Sequence, residues 1–199
     1  MESFNRSLLV KKLYDSELSL FNIQTLKDLW GVEKENTLLV IIRSLVKNGV
    51  LEKAEKGKFY LASKPPDDFS LAHFLYQPSY ISLETGLNLH QILSQFPYEI
   101  TSVTTKKKKE KVVGGKMFIY LHLNPGLFWG YFKKNSSLIA EPEKAILDTL
   151  YLASKGERGF NFDEADFSRI NKGKLFSYAR QFPKTRQFLA YFKKLEDYI

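Results

Sequence analysis

The chain contains no cysteine. That absence excludes disulfides, thiolate nucleophiles and cysteine-ligated zinc, and it suits a reducing compartment. Histidine is scarce, with three in 199 residues. His73, His90 and His122 lie far apart, none at a metal-ligand spacing such as HxxxH, so no metal site is expected. Long apolar runs are missing too. The longest aliphatic stretch, LLVII at 38–42, is far too short to span a bilayer. The start, MESFNRSLLVKKL, offers neither the continuous apolar segment nor the small-residue cleavage site of a signal peptide. A soluble cytoplasmic protein with no membrane contact is the expectation. Glycine motifs that cradle phosphates, GxxxxGK[ST] and GxGxxG, are also missing, and no candidate nucleophile has a base near it in any motif. The reading is of a non-enzyme, with no cofactor and no catalytic residue to name.

What is present is a globular composition, 44% hydrophobic and 15% aromatic, with a formal net charge of +8. Such an excess favours polyanions: nucleic acid, an anionic membrane surface or an acidic protein. The charge is concentrated. Residues 106–111, KKKKEK, supply +4, half of the total.

The first third predicts three helices and a hairpin. Phe4, Leu8, Leu9 and Leu13 recur at helical spacing. A short extended piece, SLF at 19–21, leads to Asn22, an N-cap for a helix over 23–30 that buries Ile23, Leu26, Leu29 and Trp30 and ends at Gly31. In ENTLLVIIRSLVKNG, residues Leu38, Ile41, Ile42, Leu45 and Val46 form one wide apolar stripe. The opposite side holds Asn36, Val40, Arg43 and Lys47, flanked by Thr37 and Ser44. VLEKA and FYLA then make a hairpin with Gly57 at its tip. This is the helix-turn-helix plan with a wing, whose last helix enters the major groove. Lys34, Asn36, Thr37, Arg43 and Lys47 are placed for base edges or phosphates, and Lys53, Lys56 and Lys58 for backbone from the wing. The competing reading is a winged helix used for protein contacts; Val40 on the outward face and the acids Glu33 and Glu35 favour it. With 11 basic and 8 acidic residues, the 1–64 module carries only +3.

Pro65-Pro66 marks the expected domain boundary. Beyond it, Ser82 begins a short helix in which Gly86 allows close packing. Strands are expected at 98–105, 116–123, 126–132 and 137–140, with turns at Asn124-Pro125-Gly126 and 133–136. Helices follow in PEKAILDTLYLAS, DEADFSRI, KLFSYARQF and TRQFLAYFKKLEDYI, the last N-capped by Thr185 and presenting Phe188, Leu189, Phe192 and Leu195. The fold class is therefore α+β: a winged helix-turn-helix domain over 1–64, then a mixed α/β domain over 65–199 with a small sheet and C-terminal helices.

PSYISLETGL (78–87), YEITSVTTKKKK (98–109), GGKMFIY (114–120) and AEPEKAILDTLYL (140–152), in that order and spacing, resemble the AbiEi antitoxin family of type IV abortive-infection toxin–antitoxin systems. The resemblance covers nearly the whole chain and is weakest over the last forty residues. Glu141 stands where the family usually has Thr or Ser, exchanging a hydroxyl cap for an acid at the helix's positive end. The resemblance implies an antitoxin and transcriptional repressor of its own operon. Its winged helix would bind double-stranded promoter DNA at inverted repeats, as a homodimer or as two monomers. Its C-terminal domain would counter a nucleotidyltransferase toxin, and direct contact with that toxin is not implied.

Two features invite other functions. Lys144 and Asp148 are four apart in PEKAILD, the spacing of a helix-surface pair rather than an acid–base set. The 106–116 segment reads as a long hairpin loop whose lysines are solvated, since ionised lysines are costly to bury unpaired. Accessory phosphate contact by Lys106, Lys107, Lys108 and Lys109 stands level with plain solvation, ahead of an acidic protein partner. An RNA-binding module using the lysines with Phe128, Trp129, Tyr131 and Phe132 is a third reading, although strand alternation places at least half of those rings in the core.

Overall fold

The computed structural model describes residues 5–199, so the expected place of Phe4 on the first helix lies outside the described residues. The chain divides into two units between Leu75 and Tyr76.

In the first unit, α1 (Arg6–Asp15) is capped by Asn5, whose side chain accepts from the amide of Ser7 at 3.1 Å. It buries Leu9 and Leu13 and leaves Leu8 half in water. β1 (Leu20–Asn22) leads into α2 (Ile23–Trp30), whose cap is Asn22 accepting from Thr25 N at 2.8 Å. Trp30 Nε1 donates to the Leu9 carbonyl at 3.1 Å and ties α2 to α1. α3 (Glu35–Lys47) buries Leu38, Ile42 and Leu45. β2 (Leu51–Glu55) and β3 (Lys58–Leu61) form the hairpin, and β1 adds to β3 in antiparallel register, giving sheet order β1-β3-β2. The piece expected only to be extended is thus a third strand. The unit also takes in α4 (Asp68–Leu75), which moves its boundary past Pro65-Pro66. Asp67 caps that helix through Ser70 N at 2.9 Å. Lys58 holds its far end by donating to the Leu75 carbonyl, with its ammonium 5.5 Å over the Phe74 ring.

The second unit is built on a six-stranded mixed sheet. Its strands are β4 (Ser79–Ile81), β5 (Glu99–Thr104), β6 (Lys109–Val113), β7 (Lys116–His122), β8 (Tyr131–Lys134) and β9 (Ser137–Ala140), in the order β6-β7-β5-β4-β9-β8. β5 and β7 pair as expected, but in parallel, Thr101 opposite Ile119. No hairpin loop joins parallel neighbours. The chain therefore returns as β6, turns at Gly114-Gly115 and inserts β7 between β6 and β5. The expected eleven-residue loop at 106–116 is in large part this edge strand.

Two other expectations are corrected. Residues 126–132 are not one strand: Asn124 accepts from Gly126 N at 3.0 Å, a 3₁₀ turn covers Pro125–Leu127, and β8 starts only at Tyr131. The DEADFSRI helix is reduced to a 3₁₀ turn at Phe162–Glu164. Asn161 and Asp166 bond the nearby amides of Asp163 and Ser168 and compete with helical bonding.

α5 (Leu83–Leu89), α6 (Pro142–Ser154), α7 (Lys172–Ala179) and α8 (Arg186–Glu196) complete the unit. α6 is its axis: every residue from Glu143 to Ala153 is buried. Gly86 lets α5 approach it, since a Cβ there would sit 3.4 Å from Ala145 Cβ. Glu141 makes no capping bond to α6; its carboxylate instead takes Lys174 at 3.1 Å and the Tyr178 hydroxyl, fastening α7. Burial works against that carboxylate's charge, but the Tyr178 and Lys174 bonds and the Lys174 charge outweigh it and lower its pKa. Thr185 caps α8 as expected, through Phe188 N at 3.2 Å. Phe188 and Leu195 are buried while Leu189 is exposed, so the apolar stripe of α8 is narrower than its sequence suggests.

Candidate nucleic-acid interface

α3 turns its buried stripe to the unit's core and its other face outward. Asn36, Val40, Arg43 and Lys47 are all exposed at helical spacing, and Thr37 and Ser44 flank them half-buried. Lys34, at the N-cap position, is exposed and makes no capping bond. On the hairpin, Lys53 and Lys56 are exposed, and the register shift between Lys53 and Glu55 bends β2 near its tip. Lys58 differs from the other hairpin lysines. Its ammonium is committed to the Leu75 carbonyl and to Glu55 at 2.8 Å, so it holds α4 instead of standing free for a phosphate. Sequence reading missed Arg6, which lines a shallow groove with Val40 and Ser44 beside α3. Which α1 residue borders α3 depends on helix packing, and no local pattern carries that information.

In the second unit Lys106, Lys107, Lys108 and Lys109 are all exposed, the last at the start of β6. Their backbone is held firmly. Tyr76 donates its hydroxyl to the Lys107 carbonyl at 3.1 Å, and His122 Nδ1 lies 2.9 Å from the Lys106 carbonyl, a bond it makes as the donor. The Lys106 and Lys111 ammoniums lie 5.6 and 5.5 Å over the Tyr76 ring. Lysines along an edge strand also discourage pairing with another sheet. Phe128, Trp129 and Tyr131 pack on the core of this unit, and only Phe132 of the four rings is exposed, which leaves little of a stacking platform.

The expected surface pair Lys144–Asp148 is a correction of a different kind: both side chains are 0% exposed. Asp148 accepts from Lys144, from the Tyr80 hydroxyl at 2.8 Å and from the Ser82 hydroxyl at 3.0 Å. Lys144 also donates to the Tyr80 oxygen at 2.8 Å and lies 5.0 Å over the Trp129 ring. Burial pushes the Lys144 pKa down and the Asp148 pKa up, and each partner's charge pulls the other back toward the ionised form. Burial, then the Asp148 charge, raises Tyr80 well above the usual phenol range. No substrate atom reaches a sealed, mutually satisfied set, so its role is to fasten β4 to α6. Ser82, at the N-cap position of α5, is drawn into it and makes no side-chain cap. The readable signal was an Asp inside the otherwise apolar run AILDTLYLA with Lys144 just before it, and Tyr80 and Ser82 two residues apart, so pointing to the same side.

Among the described residues no group of three or more His, Asp or Glu side chains is placed to hold a metal ion. None of their helices is long and apolar enough to cross a membrane. No protein-family model matches the chain, and no curated protein matches it.

Proposed function

We propose that the first unit is a winged helix-turn-helix domain that binds duplex DNA through the outward face of α3, and that the chain is a cytoplasmic AbiEi-type antitoxin repressing its own operon. The observation that carries the DNA reading is the exposure of Asn36, Arg43 and Lys47 on one face of α3, in a unit whose β2–β3 hairpin also exposes Lys53 and Lys56. Asn and Arg suit base edges in the major groove, and hairpin lysines suit phosphates. The order of three helices and a hairpin, with β1 closing the sheet, supports the same reading. Lys58 is left out of the contact set and Arg6 is added to it. The antitoxin role, the nucleotidyltransferase toxin as functional partner and the inverted-repeat operator rest on the resemblance of 78–87, 98–109, 114–120 and 140–152.

A second reading, a protein–protein adaptor, is favoured by one observation: Val40, at the centre of the outward face, is 63% exposed. Electrophoretic mobility shift with the DNA upstream of the gene separates the two. The double variant Arg43→Ala/Lys47→Ala is expected to bind that DNA at least about tenfold more weakly, since each lost contact is worth about 1–3 kcal/mol at a base edge and less at a phosphate. Unchanged binding by the double variant removes α3 as the reader; Val40→Asp abolishing a protein contact while leaving DNA untouched would establish the adaptor.

A further inference from the structure

We propose that the cleft between residues 93–98 and 159–164 of the second unit binds an arginine-bearing peptide segment of a partner protein. The cleft measures about 680 Å³, within the size range of ligand sites. Phe160 supplies an aromatic wall, Phe96 and Tyr98 stand at the rim, Glu84 and Glu164 supply carboxylates, and among the described residues no Lys, Arg or His lines it. In a chain of net charge +8 that lining is a local reversal of sign. Arg158, beside the cleft, is already engaged by Glu84 at 3.4 Å and Glu99 at 3.3 Å. Aromatic faces with carboxylates are the surroundings a guanidinium takes best: it is planar, stacks on rings and pairs with carboxylates through a fixed fork of donors.

The rim argues for a peptide over a free cation. Phe96 and Tyr98 are 90% and 87% exposed, the two most exposed large apolar side chains among the described residues, and they flank Pro97. A ligand confined to the cleft would leave their outer faces in water, whereas a segment crossing the rim would cover them. Exposed aromatics are the residue type that anchors protein interfaces. The segment leading into the rim is held in place: Asn88 Nδ2 donates to the carbonyls of Leu93 at 3.1 Å and Gln95 at 3.0 Å, and the Asp166 amide donates to Ile92 O at 2.8 Å. Binding then has to order the Phe96 and Tyr98 side chains but not the backbone of 92–95. The inference is independent of the DNA reading, since it concerns the other unit and the opposite charge.

The test is amide-shift NMR on the full chain with three probes: acetyl-Leu-Arg-Leu-Arg amide, the same peptide with citrulline for arginine, and acetyl-arginine amide. Saturable shifts confined to Glu84, 93–98 and 159–164 are expected from the first, with the other two about tenfold weaker or worse. Phe96→Ala/Tyr98→Ala removes exposed groups only, so it keeps its thermal midpoint and still weakens the arginine peptide about tenfold; Glu84→Gln/Glu164→Gln weakens the peptide as well but lowers the midpoint, since Glu84 pairs with Arg158. Equal binding of the citrulline peptide, shifts lying elsewhere, or no shifts overturn the proposal. Equal binding of acetyl-arginine amide overturns its peptide element and leaves a site for a single cation.

Discussion

Asp148→Ala is expected to destabilise the second unit by roughly 3–5 kcal/mol, the cost of leaving a buried charge unpaired. The arrangement makes the effect large, because Asp148 is the common acceptor for Lys144, Tyr80 and Ser82 and all four groups are buried. Its removal leaves a buried ammonium without its counter-charge, held only by the Tyr80 oxygen, and two hydroxyls without their acceptor. Lys144→Ala is expected to cost a similar amount, leaving a carboxylate with only two hydroxyl donors. The double change Lys144→Met/Asp148→Leu removes both charges at similar volume and recovers most of the loss, since apolar replacements of a buried pair are often neutral. Recovery stays incomplete, because Tyr80 and Ser82 still lack an acceptor, at about 1–3 kcal/mol for an unsatisfied group. Chemical denaturation of the single and double variants checks this. A single variant within about 1 kcal/mol of wild type would show that the pair is hydrated or exchangeable.

The second large effect belongs to Gly130, where two costs coincide. Its φ is +71°, and a Cβ there would lie 3.0 Å from Lys144 Cγ, 3.1 Å from Cδ and 3.2 Å from Cβ. A side chain in the left-handed region costs about 1–2 kcal/mol. The Lys144 stem cannot yield freely, because its ammonium is held by Asp148 and Tyr80, so overpacking adds about 1–3 kcal/mol. Gly130→Ala should therefore lose about 2–5 kcal/mol. Gly156 is the internal control: its φ is +74° with nothing within 4 Å of the added Cβ. Gly156→Ala should show the backbone cost alone, about 1–2 kcal/mol. Equal thermal midpoints for the two variants would remove the packing contribution at Gly130.

How far the sequence could be read depends on whether the deciding interaction was local. Asn22 and Thr185 cap helices where their positions required it, the α3 stripe faces inward, and Gly86 meets Ala145 as a small residue in a tight crossing. The caps and the stripe are written within a few residues or one helical period, whereas Gly86 carries only its own small size and not the identity of Ala145 as its neighbour. The parallel pairing of β5 with β7 is not written locally: the β-branched run ITSVTT and the apolar run MFIYLH report that both strands are buried, not which strand lies alongside or in which direction. The same limit applies to Lys144 and Asp148, whose four-residue spacing is identical on a solvated face and in a core. At the candidate interface the α3 residues were legible because one helix carries them. Lys58 and Arg6 were not, because α4 and the α1–α3 groove decide their roles.

The central claim is that the first unit grips a double helix with α3 and the hairpin lysines, and the salt dependence of duplex binding tests it most directly. Anisotropy of the labelled upstream duplex should be followed from about 50 to 200 mM salt for wild type and for Arg43→Ala/Lys47→Ala. Arg6, Lys34, Lys47, Lys53 and Lys56 on phosphates, with Arg43 at a base edge, would give a slope of log K against log salt of about −4.5, and the double variant should flatten it by about 1 while weakening binding. A wild-type protein that leaves the duplex unbound at the lowest salt, or a double variant with the wild-type slope and affinity, would contradict the account.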